Sequence, residues 1–410
     1  MSSKRHRPGT EKDRVSGTSD ASTLFDRCHE TDLSSLGKGD EIMFAKPSDQ
    51  PRRILIYRLG SLGDAVVALP ALRLIARAFP DAERWMLTNF GLGDKAATIA
   101  QVLDGTGLVH GYIKYPIGLR NVGGLMDLRT RVRQLRFNTL VCLHPARGPV
   151  KVIRDAAFFH ACGIAQLIGM PYWPWLQRPR RLADGRYEYE GARLIRSIAA
   201  LGSLDLDEPE AFNLQLSQTE NAAAERAMAT LHPGRTIIAA SIGAKDEVRN
   251  WGDDNWSRLF ARLSQTYPDT QLVLLGADVE YGRTQALAAH WTGAFINLCG
   301  RLTVREAAAT LARARLFIGH DSGPMHLSAA VGTPCVAIFS SRNLPGKWFP
   351  YGDIHHIIYK SIQCEGCNLT VCNQHKKACI MSITVDEVIS AAAVFLDNSF
   401  RPMISNNIAN

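Results

Sequence analysis

Apolar and polar positions along the chain follow a pattern in which short apolar runs alternate with longer segments that have one apolar face. From residue 52 onward, the runs RILIY, ERWMLT and TLVCL have the length and composition of buried strands. The segments AVVALPALRLIARAF, RTRVRQLRF and VKVIRDAAFFHACG have the apolar spacing of helices. Strands that alternate with helices predict a parallel sheet covered by helices on both faces.

A second block with the same alternation follows residues 203–216, an acidic segment that we interpret as a linker. Five strand-type runs, TIIAASIG, TQLVLLG, FINLCG, LFIGHDSG and PCVAIF, alternate with helical segments. The sequence therefore predicts an α/β protein with two Rossmann-like, doubly wound domains. The carboxyl ends of both sheets would border one interdomain cleft, where ligands of such sheets bind.

The predicted organisation has four parts. They are a polar N-terminal arm (residues 1–48), an N-terminal domain (residues 49–210), a C-terminal domain (residues 211–385) and a closing helix with a tail (residues 386–410). The arm is rich in Ser, Thr, Asp, Lys and Gly and shows no sustained periodicity, which is typical of a disordered segment. A functional arm is the alternative.

Composition restricts the partners without choosing one. The 410 residues carry a net charge of +8, which favours nucleotides, phosphorylated glycans, membrane surfaces or nucleic acid as partners. Nucleic-acid binding is disfavoured because the cations are dispersed and no recognised binding module is present. No apolar run reaches the roughly 18 residues of a membrane span, and the N-terminus lacks the apolar core of a secretory signal. We therefore expect a cytoplasmic protein, with peripheral membrane contact left open.

The best candidate for a phosphate site is the stretch GHDSGPMH. Asp321, Ser322 and Gly323 form a tight loop after a strand, and a helix is predicted to begin near Pro324. The free N–H groups and the positive dipole end of that helix would attract an anion, and His326 could reach a phosphate oxygen. Asp321 would repel an anion, so we expect it to brace the loop or bind sugar hydroxyls. The alternative is an ordinary strand-to-helix turn with Asp321 as N-cap.

Two further loops follow predicted strands of the same domain. Lys245 and Arg249 precede Trp251 in AKDEVRNW, where a cation could neutralise a diphosphate. The alternative is a solvated loop in which Trp251 is a packing anchor. Glu280 follows the strand QLVLL, where an acid could bind a ribose hydroxyl or could simply favour the first turn of a helix.

The stretch RLGSLGDAVV in the first domain lacks the spacing and the Lys of a Walker loop and is not GxGxxG. Ser61 and Gly63 lie in its loop, and Asp64 stands where a phosphate would otherwise dock. A carboxylate that begins a helix and faces a cleft is suited to accept a proton from a hydroxyl. The alternative is an acid that the helix dipole favours at this position.

Two basic stretches are candidates for acceptor or membrane binding. His144, Arg147 and Lys151 in HPARGPVK could bind an anionic acceptor or belong to a solvated loop. The stretch WPWLQRPRR, residues 173–181, interleaves aromatic and cationic residues and could contact an anionic lipid surface or a glycolipid phosphate. A proline-rich connecting loop is the alternative.

Four of the nine cysteines lie close together in CEGCNLTVCNQHKKAC: Cys364, Cys367, Cys372 and Cys379. Four thiolates that include a Cys-x2-Cys knuckle could complete a tetrahedral site, so a structural zinc or iron ion is one interpretation. A loop with free or disulfide-paired thiols is the other.

Taken in order, RILIYRLGSLGDAVVALPAL, AKDEVRNW, GHDSGPMHLSAAVGTP and the cysteine cluster resemble glycosyltransferase family 9, the heptosyltransferases of bacterial surface glycans. The resemblance extends from about residue 52 to about residue 395. It implies a GT-B fold, with an N-terminal acceptor domain and a C-terminal nucleotide-sugar donor domain. It also implies an inverting reaction that needs no metal or other cofactor for catalysis.

The resemblance assigns roles to individual residues. Asp64 matches the general base, Glu280 matches a ribose-binding acid, and Arg249 matches a donor-phosphate cation that is usually Lys in the family. The residues that match the pyrophosphate loop are Asp321, Ser322, Gly323 and His326. The candidates for the acceptor side or its loop are Ser61, Gly63, Arg147 and Lys151. The family often has an acid where this chain reads HPARGPVK, which leaves the acceptor open.

The implied function is transfer of a heptose from ADP-heptose to the core of lipopolysaccharide or a related glycan. The implied partners are a nucleotide-sugar donor and an anionic glycan or glycolipid acceptor. Peripheral contact with the cytoplasmic face of the inner membrane is left open. The alternatives are another nucleotide sugar or acceptor, and a non-catalytic scaffold that binds sugar nucleotides.

Overall fold

The structure is a computed structural model that describes residues 53–89, 98–115, 122–144 and 148–397. All of these residues belong to one compact unit. The predicted N-terminal arm, residues 1–48, lies outside the described residues, and so does Arg147. None of the helices in the described part of the chain has the length and apolarity that a membrane span requires.

Five parallel strands form the first sheet. They are β1 (Arg53–Tyr57), β2 (Glu83–Thr88), β3 (Gly111–Lys114), β4 (Thr139–Cys142) and β5 (Gln166–Ile168). The order across the sheet is β3-β2-β1-β4-β5. The central strands are buried almost throughout, because helices cover both faces of the sheet. The chain reverses its direction of winding between β1 and β4, so the crevice at their carboxyl ends is a ligand site by topology.

The helices of the first half follow its strands. They are α1 (Leu62–Ala78), α2 (Ile99–Leu103), α3 (Val122–Gln134), α4 (Pro149–Ala161), α5 (Pro174–Gln177) and α6 (Glu190–Ser197). The stretch WPWLQRPRR, expected as a membrane contact or a connecting loop, contains the single turn of α5. Residues 203–216 hold no helix or strand, as a linker should, but Leu204, Ala211 and Leu214 are buried. The linker is therefore packed onto the core.

Six parallel strands form the second sheet. They are β6 (Thr236–Ser241), β7 (Thr270–Leu274), β8 (Phe295–Asn297), β9 (Leu316–His320), β10 (Cys335–Phe339) and β11 (His356–Tyr359). The order is β11-β10-β9-β6-β7-β8, with the reversal between β6 and β9. The helices of this half are α7 (Gln218–Ala227), α8 (Asp253–Thr266), α9 (Tyr281–Ala288), α10 (Val304–Leu311), α11 (Gly323–Ala330), α12 (Ala378–Met381) and α13 (Val385–Leu396). The two sheets confirm the predicted pair of doubly wound units.

The two halves meet where α1 packs against α11. A Cβ atom on Gly323 would lie 2.7 Å from Leu62 Cδ2, and one on Gly63 would lie 2.8 Å from His326 Cδ2, so both glycines permit close approach. The Glu190 N–H also donates to the Lys347 carbonyl over 2.9 Å. The loops that begin α1 and α11 therefore face each other directly.

Candidate active site

Asp64 lies at the third position of α1, and Ser61 is the N-cap. Asp64 Oδ2 accepts hydrogen bonds from the Ser61 N–H (2.9 Å) and from the Ser61 hydroxyl (3.1 Å). This is the reciprocal contact of a capping box, in which an acid satisfies donors at the start of its own helix. The side chain of Asp64 is still 29% exposed. One face of the carboxylate is therefore available to a ligand in the cleft.

Arg58 holds the other oxygen of Asp64, and no sequence argument identified this residue. Its guanidinium is 1% exposed, Nη2 lies 3.3 Å from Asp64 Oδ1, and Nη1 donates to the Leu143 carbonyl over 2.8 Å. Nη1 also lies 4.0 Å from Oε1 of the buried Glu190, which forms a two-pronged pair with Arg193. A cation directly after the buried run RILIY is the signal that could have identified Arg58, because buried cations need partners.

The loop that begins α11, called the second loop below, differs from the loop that begins α1. Its helix start is not capped by a side chain. Ser322 is the N-cap of α11 but its side chain caps no N–H group. Among the described residues, the buried Ser322 hydroxyl has no hydrogen-bond partner. Gly323 is the first helical residue and Pro324, the second, has no N–H group to donate. This helix start offers an unused hydroxyl and its first-turn amides, which is the arrangement that binds anions.

Asp321 points away from the helix start. Its Oδ2 accepts a hydrogen bond from Asn343 Nδ2 over 2.9 Å and lies 3.4 Å from Arg249 Nη1, while its carbonyl accepts from the same Nη1 over 2.8 Å. The N-cap of α11 is Ser322, so the interpretation of Asp321 as N-cap is wrong. The carboxylate instead ties the loop to the segments after β6 and β10.

Arg249 and Arg342 form a cationic pair beside this loop. Arg249 Nη2 lies 3.4 Å and Arg342 Nη1 3.2 Å from Asp246 Oδ2. Burial, with the charge of Arg249 next, lowers the pKa of Arg342. The buried Arg249 Nε has no partner among the described residues. Because Arg249 follows β6 and Asp321 follows β9, this unused donor lies at the topological reversal of the second sheet.

Two buried histidines support the second loop. His320 ends β9; its Nε2 accepts from the Trp251 N–H (3.2 Å), and its Nδ1 lies 3.4 Å from the Gly243 carbonyl. Burial lowers the pKa of His320 to about 4, so the ring is neutral at pH 7. His326, predicted to reach a phosphate, is 4% exposed and packs beside Gly63. Burial also lowers the pKa of His326, against the opposing charges of Asp321 and Asp64.

Glu280 lies where β6 and β7 end. Its Oε2 accepts from the Ala277 N–H over 2.8 Å. A Cβ on Gly243 would lie 1.9 Å from Glu280 Oε1, and one on Gly276 would lie 2.5 Å from Oε2. The two glycines thus leave room for this carboxylate at the carboxyl edge of the second sheet.

The remaining candidates are Lys151 and the cysteine-rich loop. Lys151 is exposed on the first turn of α4. The cysteine-rich loop, residues 364–379, packs against the segments that carry Arg249 and Arg342. Arg342 Nε donates to the Leu369 carbonyl (2.7 Å), and the Val248 N–H donates to the Thr370 carbonyl (3.1 Å).

The four clustered cysteines do not form a metal cage as they stand. The described residues contain no group of three or more His, Cys, Asp or Glu side chains placed to hold a metal ion. The thiols are nevertheless near one another, since burial first, and then the other three thiols, raise the pKa of Cys364.

Comparison with known proteins identifies relatives of this chain. The family model of glycosyltransferase family 9 (heptosyltransferase) matches residues 177–378. A lipooligosaccharide heptosyltransferase 2 of Campylobacter jejuni is 30% identical over 178 residues, 41% of this chain and 54% of that protein, so the match spans about half of that relative. A lipopolysaccharide heptosyltransferase 1 of Pseudomonas aeruginosa is 24% identical over 334 residues, 78% of this chain and 87% of that protein.

The solved structure of E. coli ADP-heptose LPS heptosyltransferase II matches with a TM-score of 0.58 at 17% identity, over 84% of this chain and 98% of that one. This likeness confirms the predicted GT-B fold. The family-model match covers most of the second half, and the Pseudomonas relative extends the match over most of the chain. Over residues 177–378 the chain matches glycosyltransferase family 9, the heptosyltransferase family, and the Pseudomonas relative extends the likeness beyond that range.

Proposed function

We propose that the protein is an inverting glycosyltransferase that moves a heptose from ADP-heptose to the core of lipopolysaccharide or a related surface glycan. The observation that carries the proposal is the pair of opposed loops. One holds the partly exposed carboxylate of Asp64, and the other, with Arg249 beside it, holds two donors that have no partner among the described residues, the Ser322 hydroxyl and Arg249 Nε. The ADP-heptose donor is supported by the name of the E. coli structural relative.

In the proposed reaction, Asp64 accepts the proton of an acceptor hydroxyl while the hydroxyl oxygen attacks the anomeric carbon. Arg58 and Ser61 fix the two carboxylate oxygens, so the base needs no reorientation at the moment of transfer. Attack from the side opposite the leaving group inverts the configuration at the anomeric carbon.

ADP leaves with the electron pair of the broken C–O bond. We assign its diphosphate to the start of α11, where Ser322, the Gly323 N–H and Arg249 would stabilise the growing negative charge. A diphosphate needs no proton to leave, so the mechanism uses no second carboxylate as acid. Glu280 is the proposed partner of the ribose hydroxyls.

The acceptor is proposed to be an anionic glycan or glycolipid that approaches the Asp64 side of the cleft. Lys151, and Arg147 outside the described residues, are the candidate contacts. A lipid-linked acceptor would bring this cytoplasmic protein into peripheral contact with the inner membrane.

A zinc or iron ion at Cys364, Cys367, Cys372 and Cys379 stays a prediction. The thiols lie near one another but would have to move to enclose an ion. Elemental analysis of protein purified without a metal-binding tag tests this prediction. A content of less than about a tenth of a metal ion per chain would contradict it and favour a loop with free or disulfide-paired thiols.

The proposed function is tested by incubating the full chain with ADP-heptose and a de-acylated core oligosaccharide. We expect ADP release, together with a product whose one-bond C1–H1 coupling constant in NMR shows the inverted anomeric configuration. Retained configuration would refute the proposed mechanism.

A thermal-shift panel of nucleoside diphosphates and their sugars separates the alternatives. A selective response to ADP supports the proposed donor, whereas a response to another nucleotide points to a different nucleotide sugar. Binding without turnover of any nucleotide sugar would favour the non-catalytic scaffold.

A further inference from the structure

Exposed apolar side chains are concentrated in the first half of the molecule. Nine of the fourteen large apolar side chains that are exposed in the described residues lie between Val122 and Leu182. Among them, Val150 is 77%, Trp173 62% and Trp175 57% exposed. A concentration of exposed apolar groups marks an interaction site, whereas single ones are ordinary.

These side chains share one edge of the first sheet. Val122 and Met126 lie in the first two turns of α3, after β3, and Val150 and Ile153 lie in the first two turns of α4, after β4. Trp173 follows β5. Because β3, β4 and β5 are parallel, the three segments all begin at the carboxyl edge of the sheet.

Further contacts relate these segments to one another. Arg129 Nε and Arg133 Nη1 in the later turns of α3 donate to the carbonyl of Ala161, the last residue of α4, over 3.0 and 3.2 Å, so the carboxyl-terminal parts of the two helices are tied together. Tyr172 lies near the end of β4, since burial and then the Cys142 thiol raise its pKa. The exposed groups are therefore assigned to one region by the carboxyl edge of the sheet that they share.

The tryptophan segment is anchored rather than loose. Arg196 Nη1 donates to the Trp175 carbonyl over 2.7 Å, and Arg193 Nη1 donates to the Leu176 carbonyl over 3.1 Å. Arg193 is itself 3% exposed and paired with Glu190. These bonds fix the backbone of a segment whose two indole rings are exposed.

The charge of this region indicates what covers it. Residues 148–182 contain five Lys and Arg residues and one acid. Lys151, Arg178, Arg180 and Arg181 are exposed. Indole rings favour the interface between water and lipid, and cations favour anionic headgroups. An apolar patch interleaved with one sign of charge therefore fits an anionic bilayer better than a neutral protein surface.

We infer that this region docks on an anionic lipid bilayer. The lipid-docking surface comprises Val122, Met126, Val150, Ile153, Trp173 and Trp175, with the exposed cations at its border. The inference rests on the proposed function in one respect. The Asp64 loop follows β1 at the same edge of the sheet, so docking brings a lipid-linked acceptor to the proposed base.

The test is sedimentation of the full chain with vesicles of phosphatidylcholine alone or mixed with phosphatidylglycerol. We expect binding to the anionic vesicles that weakens as salt is added. The double variant Trp173→Ser/Trp175→Ser should bind at least about 10-fold more weakly. The control Val394→Ser, which changes an exposed apolar residue outside the surface, should bind as wild type does.

A second pair of variants tests the cations. In the double variant Arg178→Gln/Arg181→Gln, the partition coefficient onto anionic vesicles should fall about five-fold for each cation removed. The control Arg235→Gln, which changes an exposed arginine of the second half, should leave that partition coefficient unchanged. Absence of binding to anionic vesicles, or equal binding by the tryptophan variant and wild type, would overturn the inference and leave the surface to a protein partner.

The same variants keep the two proposals separable. ADP affinity and transfer to the water-soluble, de-acylated acceptor should be unchanged in the tryptophan variant. A wild-type protein that binds vesicles but transfers no heptose would support the lipid-docking surface and refute the proposed function.

Discussion

The two loops that meet in the cleft have the same architecture but differ in how their helix starts are satisfied. Each follows a central strand of a parallel sheet, β1 or β9, and leads into a helix, α1 or α11. Asp64 turns back onto Ser61 and occupies donors at the start of α1. Ser322 begins α11 with an unpartnered hydroxyl among the described residues.

The position of the acid explains the difference. Asp64 is inside its helix, three residues after the N-cap, where it closes the anion site on itself. Asp321 precedes the N-cap and is drawn aside by Arg249 and Asn343. Glycine content alone does not distinguish a phosphate loop from an acid-bearing loop, but the register of the acid does.

The largest effect is expected from Asp64→Asn. The amide keeps the shape of the side chain but cannot accept the proton, so transfer should fall by about 10²–10⁴-fold. ADP affinity, measured by calorimetry, should change less than about two-fold because the diphosphate is assigned to the other loop.

Glu306→Gln is the matched control for this change. Glu306 is also an acid three residues after an N-cap, on α10 and outside the cleft. Its variant should lose helix-capping stability of about 1 kcal/mol but no activity. Equal loss of transfer in both variants would reduce Asp64 to a capping residue.

Arg249→Ala should act on donor binding. Loss of charge-assisted hydrogen bonds predicts an increase in the Kd of ADP by about 10–100-fold in calorimetry. Lys245→Ala removes an exposed cation from the same loop and should change the Kd less than about three-fold. Equal affinities for the Arg249 variant and wild type would remove Arg249 from the donor site.

Glu280→Gln should have a smaller effect that depends on the ribose. We expect ADP affinity to fall by about 10-fold, because one charge-assisted hydrogen bond is weakened. Wild type should prefer ADP to 2′,3′-dideoxy-ADP, and the variant should lose most of that preference. An unchanged preference would leave Glu280 as a first-turn acid that only caps the Ala277 N–H.

The free energy of unfolding should depend on pH through His320, the buried histidine beside the second loop. The folded pKa of His320, about 4, is below the unfolded value near 6.5, so the unfolded chain binds more protons between these values. The contribution of the neutral His320 ring to the free energy of unfolding is therefore fully present above pH 6.5. It falls by roughly 3 kcal/mol as the pH is lowered toward 4. Thermal unfolding across this range should show a shallower loss for His320→Gln.

His355 provides the control for that measurement. Burial also lowers its pKa to about 4, but its ring hydrogen-bonds to the Cys335 N–H and the Tyr351 carbonyl, and not to Trp251 and Gly243 as His320 does. His355→Gln should flatten the stability profile to a similar extent without weakening ADP binding at pH 7. An unchanged profile in the His320 variant would contradict the buried neutral ring.

The sequence was sufficient for the fold because the long strands and helices have strong periodicity. The central strands and most of the longer helices lie where their apolar patterns predict. The patterns missed three short strands, β3, β5 and β11, all of which lie at an edge of their sheet. Three or four residues with one covered face carry too little pattern to recognise.

The site was predictable only in part. Loops after strands identified Asp64, Arg249 and Asp321, because parallel strands end at one edge. Arg58 and Arg342 were not identified from the sequence, because their importance comes from contacts with residues far away along the chain, such as Leu143 and Asn368. Burial of a charge is a tertiary property, and the local composition gives little sign of it.

The crystal structure of an ADP complex tests the division of roles between the two loops most directly. We predict that the diphosphate lies at the start of α11, within hydrogen-bond distance of the Ser322 hydroxyl and Arg249 Nε, and that the Ser61–Asp64 contact persists. A diphosphate bound to the N–H groups of residues 60–63, with Asp64 displaced from Ser61, would contradict it.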